Sequence, residues 1–276
     1  MKHTELKNVF DTLEKAFTEL SIDYYLIGAL ARQIWYERAQ IKFRTTRDVD
    51  YAILVGSHQE YETVKQYLIK NENYLPIREN TFVLISPDGF QVDLLPFGEI
   101  ESQGSVKIEG IGMTTIQISG MKEVYENGTE IVNLETGNTF KAATLIGIVL
   151  LKLVAYDDRP ERRQKDATDI GNILVNFFDM HQDLIYSNHL DMFDEQERTL
   201  ENISGIVLGR EIKKIVLSNA NLIDRSKRIL IDHINFGEES IFTQLIAKET
   251  GKEIDLIIGY LRDILWGFEN PSKPVD

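Results

Sequence analysis

The chain has no cysteine, only six prolines and two tryptophans, and a deficit of positive charge. Its 276 residues carry 30 Lys+Arg against 44 Asp+Glu, a formal net charge of −14. The missing cysteine excludes disulfides, Cys-ligated zinc and thiol nucleophiles. The deficit of bases excludes a broad basic coat able to displace counterions from nucleic acid, and argues against adhesion to anionic membranes. Long apolar runs are absent too. The most apolar stretch, Leu145–Tyr156, is interrupted by Lys152, whereas a spanning helix needs about 20 apolar residues. With no apolar leader after Met1, a cytoplasmic location and no membrane partner are expected. Neither a Gly-x-Ser-x-Gly, a P-loop nor a G-x-G-x-x-G motif occurs. The histidines His3, His58, His181, His189 and His233 show no ligand spacing.

What is present is a hydrophobic fraction of 43% and a charged fraction of 27%, the composition of an ordinary globular protein. Leu6, Val9, Phe10, Leu13, Phe17 and Leu20 recur at helical spacing, so the chain opens on an amphipathic helix. The pattern then predicts a strand over 23–27 ending at Gly28, a helix over 29–36, a strand over 48–55 and a helix over 59–70. Strands over 81–85 and 90–95 follow, joined by the turn signal Ser86-Pro87-Asp88-Gly89. Weaker strands are expected around 114–118 and 130–134, with a turn at Gly137-Asn138. From about Ala142 the period is helical to Phe268. The expected class is α+β, with domains over 1–138 and 139–276. Trp35 and Trp266 fall in amphipathic stretches and read as core.

The sharpest local feature is Arg44-Thr45-Thr46-Arg47-Asp48-Val49-Asp50. Asp48 and Asp50, two apart at a strand start, leave the same face. Mutually repelling carboxylates favour a hard divalent cation, although a lone D-x-D also fits a solvated strand end. Asp93 lies inside the apolar Phe90–Leu95, where a charge is costly unless paired or ligating a cation. Together the three would form a triad able to hold two metals for in-line phosphoryl chemistry. Gly28-Ala29, at a strand-to-helix junction, adds a close backbone approach and a helix N-terminus suited to phosphate.

Gly28-Ala29, then Arg44-x-Thr46-x-Asp48-x-Asp50, then an isolated strand Asp93, resembles the DNA polymerase β-like nucleotidyltransferase superfamily. The first run looks most like its AbiEii/AbiGii toxin branch. That branch also carries Lys, Ala, Arg and a Lys-Asp-x-x-Asp run, here Lys152, Ala155, Arg159 and Lys165-Asp166-Ala167-Thr168-Asp169. The resemblance covers roughly 23–175. It implies a mixed β-sheet flanked by helices and followed by a helical C-terminal domain, which would bring Lys152 and Asp166 to the cleft. It further implies Mg²⁺ or Mn²⁺ held by Asp48, Asp50 and Asp93, and an NTP as co-substrate. Gly28 would present its backbone to the triphosphate, Lys152 would neutralise phosphate charge, and Asp93 would help activate an acceptor hydroxyl. Asp166 would serve as base or metal support, with Arg44 and Thr46 at the nucleotide. Ala29 departs from the superfamily's usual Ser or Gly, so a hydroxyl contact to phosphate is missing while the N–H remains. The branch implies a bacterial toxin–antitoxin or phage-defence toxin with tRNA or another RNA end as acceptor, and a cognate antitoxin.

Three other readings fit parts of the pattern. An antibiotic-type small-molecule nucleotidyltransferase shares the whole constellation. A D-x-D nucleotide-sugar transferase explains Asp48 and Asp50 but neither Gly28 nor Asp93. A catalytically silent binding module would account for Ala29. The charge by segment is −5 over 1–120 and −9 over 121–276, yet two stretches are locally basic. One is 38–47, with Arg38, Lys42, Arg44 and Arg47. The other is 206–228, with Arg210, Lys213, Lys214, Arg225, Lys227 and Arg228. Lys152 and the charges around Pro160 point to two helices joined near Asp158–Arg162, and an ammonium within an apolar run requires a partner.

Overall fold

The computed structural model describes residues 3–41, 46, 48–193 and 197–271. The chain divides into two compact units, Met1–Thr144 and Leu145–Asp276.

The first unit runs α1 (Lys7–Glu19), β1 (Asp23–Ile27), α2 (Gly28–Arg38), β2 (Val49–Leu54), α3 (His58–Asn71), β3 (Leu75–Ile77), β4 (Asn80–Ile85) and β5 (Gln91–Phe97). It continues with β6 (Ser105–Lys107), β7 (Thr115–Gln117), α4 (Met121–Asn127), β8 (Thr129–Asn133) and β9 (Thr139–Ala143). Seven strands form a sheet in the order β3-β4-β5-β2-β1-β9-β8, and β6 pairs with β7 apart from it. The β2–β5 and β1–β9 pairs are parallel and the other neighbours antiparallel, so the sheet is mixed.

Alternation assigns the faces. Phe17 of α1 packs on Tyr24 and Tyr51 at ring-centroid distances of 4.5 and 5.9 Å. Phe10 meets Phe140 at 5.5 Å. This aromatic layer fixes α1 against one face. The other face carries Tyr25, whose ring meets Phe97 at 5.7 Å and whose hydroxyl donates to Met121 O. Asp50 and Asp93 belong to that second face by register.

The weaker strand expected around 130–134 is present as β8, and β9 follows it where no strand was expected. β8 and β9 join the main sheet, with β9 directly beside β1. Their sequences, Thr129-Glu-Ile-Val-Asn133 and Thr139-Phe-Lys-Ala-Ala143, are short and partly polar, so pairing rather than period decides them. The first compact unit therefore extends to Thr144 rather than stopping at 138.

The second unit is helical: α5 (Leu145–Asp158), α6 (Gln164–Met180), α7 (Gln182–Asn188), α8 (Leu200–Ile215), α9 (Ala220–Phe236), α10 (Ile241–Thr250) and α11 (Ile254–Glu269). The break between α5 and α6 brackets Pro160, as its missing N–H requires. Helices α8 and α11 approach so closely that a Cβ on Gly209 would stand 2.0 Å from Ile264 O, and one on Gly267 2.0 Å from Ile206 O. Trp35 is half-buried and donates to Ala143 O at 2.7 Å. Trp266 is 43% exposed, so it is not core; its ring takes the cations of Arg198 and Arg210 instead. No helix among the described residues is long and apolar enough to cross a membrane.

Candidate active site

The three central strands of the first unit bring the acidic positions together. On β2, Asp50 pairs in register with Ile27 at the end of β1 and with Asp93 on β5. Adjacent strands lie about 4.8 Å apart, so the two carboxylates leave neighbouring strands on one face. Both residues are half-buried. Asp48 stands one residue ahead of β2 and is exposed, and its N–H donates to Thr46 Oγ1 at 3.3 Å.

Gly28 closes the arrangement. Its φ of +71° is a left-handed conformation that a side chain resists. A Cβ there would fall 2.2 Å from Asp50 Oδ2 and 2.8 Å from its Cγ. The backbone at the start of α2 thus lies against the Asp50 carboxylate because residue 28 has no side chain. No side chain caps α2, so its positive N-terminal end faces a carboxylate with only backbone between. Ala29 follows as a half-buried first-turn residue.

Among the described residues, no group of three or more His, Asp or Glu side chains could hold a metal ion by itself. Asp50 and Asp93 fit a different mode. Mg²⁺ commonly takes one or two carboxylates and completes its octahedron with waters and phosphate oxygens. The donor set is all oxygen, and the cradle at Gly28 is one that a methyl group would fill. It suits a hard divalent cation such as Mg²⁺ or Mn²⁺ that completes its shell with other oxygen ligands better than a preformed protein cage.

No family model matches the chain, and no curated protein matches it. Among solved structures it is similar to the antibiotic-resistance factor ANT(2'')-Ia, at 13% identity and a TM-score of 0.39, over 85% of this chain and 100% of that one. It is also similar to a tRNA-processing enzyme in an apo form, at 12% identity and a TM-score of 0.34, over 92% of this chain and 76% of the other.

The remaining expected residues separate by location. Arg44, with Lys42 and Arg47, lies outside the described residues; Thr46 is half-buried. Lys152 and Asp166 sit in the second unit. The Lys152 Nζ contacts Asp166 Oδ1 at 2.6 Å and Asp169 Oδ2 at 2.8 Å, its side chain 14% exposed. The partner that an ammonium within an apolar helix demands is therefore a pair of carboxylates on α6. Asp169 is the member the sequence reading leaves without a role, although its i, i+3 spacing from Asp166 puts both on one helical face.

Two further polar residues of the first unit were not singled out from sequence. Arg32 on α2 is only 4% exposed. It sits one helical turn beyond Gly28, and a buried guanidinium inside an apolar helix was the available signal. The other is Gln91, whose Nε2 donates to Asp93 Oδ1 at 2.8 Å.

Proposed function

We propose that this protein is a metal-dependent nucleotidyltransferase of the polymerase β-like kind. The observation that carries the reading is the register match of Asp50 and Asp93 on parallel strands, with Gly28 at the head of α2 pressed against Asp50. A nucleotide-sugar transferase needs a D-x-D but neither of those additions.

In this reading Asp50 and Asp93, with Asp48 just ahead of β2, would hold the cation that accompanies a nucleoside triphosphate, and the α2 N-terminus and Gly28 backbone receive its phosphates. The bound cation supplies charge neutralisation of the phosphates. The acceptor hydroxyl oxygen bonds to the α-phosphorus, the α–β bridging bond breaks, and pyrophosphate leaves with the bond's electrons. Asp93 orients the hydroxyl and takes its proton. The chain's contribution is mostly positioning, which in general is a large part of a phosphoryl-transfer barrier. In the second unit we assign the Lys152–Asp166–Asp169 triad to bracing α5 against α6, since a phosphate contact by Lys152 would exchange two close carboxylate partners. The resemblance to the AbiEii/AbiGii branch favours an RNA acceptor such as tRNA, and a toxin paired with an antitoxin.

The test is label transfer. The protein is incubated with each α-labelled NTP, Mg²⁺ or Mn²⁺, and either total tRNA or aminoglycosides. The reading predicts label on an acceptor with release of pyrophosphate, reduced about 100- to 1000-fold in Asp50→Asn and in Asp93→Asn. Turnover of nucleotide-sugars instead, or transfer untouched by Asp93→Asn, would overturn it.

A further inference from the structure

The polar positions on the site face of β5 are Gln91 and Asp93. They are two apart in one strand, so their side chains leave the same face. The strand starts at Gln91 because the preceding turn is closed by three hydrogen bonds: Ser86 N to Phe90 O, Gly89 N to Ser86 O, and Phe90 N to Ser86 Oγ. Gln91 is then held in register opposite Ile85 of β4, and Asp93 opposite Val83. On the β2 side Asp93 stands in register with a second acidic residue, Asp50. The Gln91 amide Nε2 donates to Asp93 Oδ1 at 2.8 Å.

The chemistry of that donor matters. A Lys or Arg at 91 would orient Asp93 but cancel the negative charge that attracts a cation. An amide orients it and leaves the charge in place. Hydrogen-bond donors behind a ligating carboxylate fix its plane, and their removal typically costs about 10- to 100-fold in metal affinity. We infer that Gln91 is a positioning residue, setting the Asp93 carboxylate for a divalent cation that arrives with a nucleotide. The inference rests on the nucleotide-and-cation reading of Asp50 and Asp93.

The experiment measures Mn²⁺ affinity by electron paramagnetic resonance at fixed ATP, in the full chain. Gln91→Met removes the donor at nearly constant volume, and Gln91→Leu serves if Met fails to fold. The expected result is about a 10-fold weaker Mn²⁺ affinity in either variant. In metal-free protein labelled at Asp ¹³Cγ, the Asp93 resonance should move while Asp resonances of the second unit stay fixed, a signature that general loosening would not give. Wild-type affinity within two-fold in a folded variant overturns the role of Gln91 alone. Failure of the wild-type protein to bind Mn²⁺·ATP, or binding unchanged in Asp50→Asn, overturns the underlying reading and the inference with it.

Discussion

Two constraints coincide at Gly28, and they can be separated. A non-Gly residue at positive φ costs about 1–2 kcal/mol, and a Cβ at 28 must also displace the Asp50 carboxylate 2.2 Å away. Gly137 shares the first constraint, with φ +90°, but a Cβ there meets nothing within 4 Å. Gly28→Ala and Gly137→Ala should therefore both lose stability in denaturant unfolding. Only Gly28→Ala should also lose nucleotide binding, and equal binding by both variants would contradict the cradle. At this scale the residues of the candidate site were legible in part. Asp48, Asp50, Asp93 and Gly28 stand out because a charge in an apolar strand and a glycine at a strand–helix junction are rare locally. Gln91 did not stand out, since a glutamine at a strand start looks solvated until the register shows what its amide meets. Ile27 opposite Asp50 is likewise a fact of pairing, not of pattern.

Elements were legible where their own period is strong. The helices α1 and α3 and the strands β1, β2, β4 and β5 lie within one or two residues of their expected spans. The misses are β9, stabilised by the neighbours it pairs with, and the three-residue β3 and β6, too short to carry a period. Two elements of the helical unit also carry a pH prediction. His181 stacks on Phe177 at 4.1 Å and its Nδ1 donates to Phe177 O, while His233 stacks on Phe242 at 4.4 Å. Burial holds both imidazoles below their ordinary pKa. A depressed folded pKa means that the unfolded chain binds the proton more readily. Their contribution is full above about pH 6.5, the ordinary histidine value, and is lost as pH falls toward the depressed folded values. Thermal melts between pH 7.5 and 5 should show the helical unit weakening on the acid side. The double variant His181→Phe/His233→Phe should flatten that slope, and an unchanged slope would count against the burial effect.

Over the whole molecule the charge of −14 acquires a structure. The basic stretch 206–228 is not an open cationic surface. Arg210 forks onto Asp191, with Nη2 to Oδ2 at 2.8 Å; Lys214 pairs with Glu211; Arg225 and Arg228 each reach Asp157 at 2.7 Å; Lys227 meets Glu269 at 2.7 Å. Lys213 lies over the Phe268 ring at 5.0 Å. Each of these bases is engaged with a neighbouring carboxylate or ring, so the locally basic sequence of that stretch is offset by its partners. The claim that everything else depends on is that a divalent cation and a nucleotide meet at Asp50 and Asp93. Anomalous diffraction from crystals grown with Mn²⁺ and a non-hydrolysable nucleotide tests it most directly. The account predicts a Mn²⁺ peak about 2.1 Å from carboxylate oxygens of both residues, shared with phosphate oxygens at the head of α2. Nucleotide bound with its phosphates away from Gly28, or Mn²⁺ ligated by neither Asp50 nor Asp93, would contradict it.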